Sequence, residues 1–98
     1  MKIEATLIPD MLIERFAVEH GLTMEIHERP RPEGDRGRFY AHFKFCDVME
    51  NGCLVGMYGD GATDEDAIRN YAARISLRRI ALNAYTPERR EIEVPRLR

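Results

Sequence analysis

The stretch YGDGATDEDAIRNYAARIS, residues 58–76, decides how the chain is organised. Two glycines let a strand turn sharply. Thr63 then stands where a helix N-cap belongs, and Asp66 three residues on resembles a capping box. Asp64, Glu65 and Asp66 fill the first turn, where the helix dipole favours negative charge. Ala67, Ile68, Tyr71, Ala72 and Ile75 recur at helical spacing and predict one buried stripe. The same residues argue against ligand loops. A P-loop needs Lys followed by Ser or Thr, and three carboxylates sit where a phosphate would bind. A calcium loop needs a glutamate at its twelfth position, and none follows. The stretch reads as a strand handing over to a helix.

Working outward, the same grammar predicts the other elements. Ile3, Ala5 and Leu7 alternate over KIEATLI, residues 2–8, as a short first strand ended by Pro9. Asp10 is the expected N-cap of a helix over residues 11–20, with Leu12, Ile13, Phe16 and Ala17 as its stripe and Gly21 at C′. LTMEIHE, residues 22–28, predicts a half-buried strand with Leu22, Met24 and Ile26 inward. RFYAHFKF, residues 38–45, is the strongest strand, placing Phe39, Ala41, Phe43 and Phe45 on one face. The chain returns through CLVGMYG, residues 53–59. A three-residue loop, Glu50 to Gly52, is expected there, because it brings Cys53, Val55 and Met57 onto the phenylalanine face. RIALNAY (79–85) and EIEVP (91–95) predict two final strands, joined by a turn at TPERR and stopped by Pro95. The expected fold is α+β, an antiparallel sheet of three or more strands packed on two helices. Its core order is α-β-β-β-α with extra C-terminal strands.

The 98 residues allow a single domain spanning 1–98, with a mobile Arg/Pro/Gly loop at 29–38 and an edge strand with a basic tail at 86–98. A hydrophobic share of 44% beside 33% charged fits a small globule. No apolar run reaches the roughly 18 residues of a membrane helix, and MKIEATLIPD carries no secretion signal. The expected setting is a bacterial cytoplasm, with Cys46 and Cys53 reduced. The net charge of −2 argues against a general nucleic-acid coat. Its distribution is uneven, since four of the thirteen arginines lie in residues 29–38 and seven in the last 25.

Catalytic motifs are sparse. His20, His27 and His42 have no partner at metal spacing, although His27 and His42 can face each other on the outer surface of adjacent strands as solvent-side residues; the cysteines are not in CxxC form, so no metal and no cofactor are expected. Ser76, the single serine, closes a helix rather than a nucleophile elbow. A thiol of Cys46 or Cys53 beside His42 is the remaining catalytic pair, and nothing marks a lowered thiol pKa. The reading is therefore a non-catalytic protein. The expected binding residues are Arg29, Arg31, Arg36, Arg38, Tyr40 and Lys44, the arginines for planar recognition and Tyr40 beside Lys44 and Arg38 for stacking a base. A protein partner is expected first and nucleic acid as the alternative, with a monomer or homodimer as the free state.

The order helix, three strands, helix between Pro9 and Ser76 resembles the double-stranded-RNA-binding-domain fold, with GMYGDGATDEDAIRNYAARI as the matching passage. The lysines that give that family its activity are absent. Gly61, Thr63, Glu65 and Ala67 within YGDGATDEDAI are similar to the helix start of HicB-type antitoxins, which implies a regulatory role. YGDGATDEDAIRNYAARIS followed by ALNAYTPERREIEVPRL, together with MEIHERPRP and GRFYAHFKF, resembles small proteins of tailed phages and prophages. That likeness implies a phage-type accessory protein. Leu77 stands where that pattern has Gly after Ile75-Ser76.

Overall fold

A computed structural model describes residues 10–30 and 37–98. The strand expected at residues 2–8, and the loop positions 31–36 with Arg31 and Arg36, lie outside the described residues. The element order is α1 (Ile13–His20), β1 (Met24–Glu28), β2 (Phe39–Phe43), β3 (Cys46–Glu50), β4 (Cys53–Val55), β5 (Gly59–Gly61), α2 (Asp64–Ile75), β6 (Arg79–Leu82) and β7 (Arg90–Glu93). The class is α+β with antiparallel pairing throughout both sheets, as expected. Among the described residues, five strands, not three, separate the helices. They divide between a three-stranded sheet, β1-β2-β5, and a four-stranded sheet, β4-β3-β6-β7.

The division begins at Phe45. The expected strand through residue 45 ends at Phe43, and Lys44-Phe45 make a tight turn in which Phe45 takes a left-handed φ of 57°. The chain leaves the first sheet there and enters the second as β3. Phe45 consequently does not join the phenylalanine face; it is 68% exposed. This turn resets the alternation, so the parity argument for a three-residue loop fails. The β3–β4 hairpin pairs Glu50 with Cys53 across a two-residue turn. Asn51 (φ 50°) and Gly52 (φ 80°) both occupy the left-handed region that such a turn requires. Val55 lies exposed beyond it, not against Phe43.

The second helix follows the sequence closely. Thr63 is its N-cap, and its Oγ1 accepts from the Asp66 backbone N–H at 3.1 Å. Ala67, Tyr71, Ala72 and Ile75 are buried and Ile68 is half-buried. Gly59 and Gly61 serve contact rather than turning. A Cβ on Gly59 would lie 2.1 Å from Tyr71 N, and one on Gly61 would lie 2.4 Å from Ala67 N. Strand β5 therefore runs with its backbone directly against the backbone of α2.

At the first helix, Gly21 is the left-handed C-cap as expected (φ 65°). Asp10 is not the N-cap: the N-cap is Leu12, with no side-chain cap bond, and the helix begins at Ile13. Backbone pairing with the chain end takes the place of that cap. Ile13 N donates to Arg98 O (2.8 Å), Met11 N donates to Arg96 O (3.1 Å), and Arg98 N donates to Met11 O (3.0 Å). The C-terminal segment is thus built into the fold. Val94 and Leu97 join Ile13, Phe16, Phe43, Val48, Tyr71, Ile75 and Ile80 in one core that draws on both sheets and both helices. Leu12 and Ile26, expected inside, are 45% and 43% exposed.

Candidate binding site

Two features meet at His42, one on the outer face of the first sheet and one in a groove beside it. On β1 and β2 the residues pointing away from α2 are Glu25 and His27, and Tyr40 and His42. Pairing sets Glu25 opposite His42 and His27 opposite Tyr40, while Tyr40 also opposes Asp60 on β5. The rings stack in a row: His27 lies 4.7 Å from Tyr40 and 5.2 Å from His42, each nearly parallel.

Arg29 closes this face at one end. Its guanidinium is 4.8 Å above Tyr40 and 5.9 Å from the Tyr58 ring centre. Nη2 bonds Asp60 Oδ1 at 2.5 Å, and Nη1 donates to the Gly37 carbonyl at 3.2 Å. Both partners of this ion pair are largely buried, with side chains 13% and 19% exposed. Arg38 pairs with Glu28, Nε to Oε1 at 2.6 Å, and stacks over Phe39. Lys44 Nζ lies 5.2 Å from the Phe45 ring centre at the turn. The structure thus gathers Arg29, Arg38 and Tyr40 from the expected set, but turns the two arginine charges onto acids of the same chain. Lys44 stands apart, over the Phe45 ring.

The groove lies between the Lys44–Phe45 turn and the segment after β6. It has a volume of about 520 Å³, and Phe45, Cys46, Asp47, Ala84 and Tyr85 are among its lining residues, with His42 at the margin. Tyr85 is 86% exposed and Phe45 68%, the two aromatic rims of one apolar depression. Two of its lining residues take positive φ, Phe45 at 57° and Asn83 at 52°, joined by a bond from Asn83 N to Phe45 O at 3.0 Å. A bulky residue at positive φ is strained. Such strain persists where the surrounding structure enforces it. Alternation alone places Phe45 in the core and hides this groove. The one signal against that placement is that a fourth aromatic or apolar repeat exceeds the length of an average strand.

Cys46 lines the groove together with His42. Burial pushes its thiol up from 9.0 to about 11, opposed by a hydrogen bond from the Tyr71 hydroxyl at 3.8 Å. At neutral pH it is a thiol, which is the wrong form for a nucleophile. Cys53 lies exposed on β4, and neither cysteine is in a disulfide.

The expectation that no histidine has a ligand-spaced partner is corrected in space. One ligand atom each from Glu25, His27 and His42 lies within 4.8 Å of the other two. Linear spacing misses the group because two of its members come from one strand and the third from its neighbour.

No helix among the described residues is long and apolar enough to cross a membrane. No protein-family model, curated protein or solved structure matches the chain.

Proposed function

We propose that the protein is a non-catalytic binding module that docks a segment of another protein in the Phe45–Tyr85 groove, as an accessory protein of the phage type. The observation that supports this most is Phe45. It is a large aromatic side chain, held mostly in solvent, on a backbone conformation that disfavours it. A left-handed conformation disfavours a bulky L-residue by roughly 1–2 kcal/mol, and folding alone would be better served by Gly or Asn at this turn. Exposed aromatics around a concave apolar site are what a partner's bulky apolar side chain needs.

The test separates binding from folding. Phe45→Gly relieves the backbone and removes the rim, so the variant should be at least as stable as the parent while losing capture of its partner from a phage-infected or lysogenic bacterial host. Capture by Phe45→Gly and Tyr85→Ser at the parent's level refutes the reading. A nucleic-acid partner is the weaker alternative, because Arg29 and Arg38 already pair with Asp60 and Glu28. Binding of oligonucleotides that weakens steeply with salt would favour it instead.

A further inference from the structure

We propose that Glu25, His27 and His42 form a binding site for a divalent transition-metal ion of the zinc class. Two imidazoles and one carboxylate are a donor set that such ions take, leaving the remaining positions to water or to a group on a partner. The sheet supplies the geometry. Glu25 and His27 are two apart on β1 and so share a face, and antiparallel pairing puts His42 directly across from Glu25. Glu25 Oε2 lies 3.3 Å from His27 Nε2 and 3.8 Å from His42 Nε2. Donors about 2.1 Å from one ion stand roughly 3.0–3.5 Å from one another. The carboxylate is therefore already near its place, while the stacked imidazoles must turn about their side-chain bonds to bring both lone pairs onto one ion.

The proton positions favour coordination at one ring and adapt at the other. His42 Nδ1 donates to the Phe43 carbonyl at 3.0 Å. A carbonyl only accepts, so in the neutral ring the proton is on Nδ1 and the Nε2 lone pair faces Glu25. This is the outer hydrogen bond that typically orients a metal-bound histidine. His27 Nε2 shares its proton with Glu25 in the metal-free protein. On coordination that proton leaves Nε2 and the neutral ring carries its proton on Nδ1. The three side chains are 27–40% exposed, so the ion is reachable from water.

Cobalt(II) and zinc(II) titrations of the intact chain test this. One equivalent of Co²⁺ should give a saturable visible absorption band, without thiolate charge transfer, that Zn²⁺ displaces. His27→Gln, His42→Gln and Glu25→Gln should each weaken binding about tenfold or more, whereas Cys53→Ser should bind like the parent. Imidazole nitrogen NMR of the unaltered protein is an independent reading that no variant's folding can confuse. Zn²⁺ should shift Nε2 of His27 and of His42 while His42 Nδ1 keeps its proton. Absence of saturable binding below about 100 µM, binding that survives the histidine substitutions, or a signal carried by the cysteines would each overturn the proposal.

Discussion

Gly59→Ala is the sharpest test of how the first sheet meets the second helix. The added methyl would sit 2.1 Å from Tyr71 N, 2.4 Å from Ala67 O and 2.5 Å from Tyr71 Cα. Carbon atoms in contact prefer about 3.5–4.0 Å, so β5 and α2 would have to separate by more than an ångström. All three obstacles are backbone atoms, and no side chain can rotate away. Overpacking a core commonly costs about 1–3 kcal/mol, and a backbone clash belongs at or beyond the upper end. At least about 3 kcal/mol is therefore expected. In a chain of this length each kcal/mol lowers Tm by roughly 4–8 °C, so the melting point should fall by more than about 12 °C. The loss is a large part of the roughly 5–15 kcal/mol that holds a domain folded. Gly56→Ala is the control: its added Cβ meets nothing within 4 Å, and Gly56 is not at positive φ. It should be neutral or stabilise by up to about 1 kcal/mol through the unfolded chain. Paired urea and thermal melts read both. If Gly59→Ala stays within about 1 kcal/mol of the parent, β5 does not lie against α2 and the sheet order β1-β2-β5 is wrong.

Four further outcomes follow from single contacts. Thr63→Ala should destabilise by about 1 kcal/mol, measured by urea melts, because Oγ1 caps the Asp66 amide. Leu77 occupies the left-handed region at φ 62° and is 68% exposed, so Leu77→Gly should not destabilise, and a gain of up to about 1 kcal/mol is expected in the same melts. The Arg29–Asp60 pair is largely buried, and removing Arg29 takes the guanidinium from the buried Asp60 carboxylate; Arg29→Met should cost about 3 kcal/mol, and a double-mutant cycle with Asp60→Ala should show strong coupling. The thiol of Cys46 has a higher pKa folded than unfolded, so its contribution is fully present below pH 9 and is lost as pH rises from about 9 to about 11. Stability should fall there by up to about 1.4 kcal/mol per pH unit, a slope that Cys46→Ala reduces in denaturant melts run at successive pH values. Tyr71, raised in the same direction by burial, extends the decline to higher pH.

What the sequence discloses depends on how local the deciding interaction is. Thr63, the acids after it and the stripe to Ile75 are legible because a capped helix is written within a dozen residues, and the observed cap bond spans three. Gly21 is legible for the same reason. The first helix start is not, because what stabilises Met11–Ile13 is a backbone bond to Arg96 and Arg98, at the other end of the chain. Phe45 shows a different failure. Its apolar alternation with Phe39, Ala41 and Phe43 fits a single strand, yet a left-handed turn at one residue sends the chain into another sheet. Glycine at positive φ announces itself; phenylalanine does not. A parity argument that runs through that turn carries the error into the following hairpin, although Asn51-Gly52 is by itself a strong two-residue signal.

The outer face of the first sheet carries the same lesson into function. That His27 and His42 lie on outward positions follows from alternation alone, and the pairing of Glu25 with His42 does not. It depends on register across residues 29–38, a segment whose composition fixes no loop length. One residue of slip would move His42 out of reach of Glu25 and set it among inward-facing residues. The same register opposes Tyr40 to Asp60 and so draws Arg29 over Tyr40. The Arg29–Asp60 bond and the imidazole–carboxylate group are thus two consequences of one alignment of β1, β2 and β5. Spacing and alternation therefore mark the arginines as a binding set and the histidines as solvent-side residues of neighbouring strands. Pairing reverses much of that order: the guanidiniums of Arg29 and Arg38 satisfy acids of their own chain, while the imidazoles of His27 and His42 converge on one carboxylate.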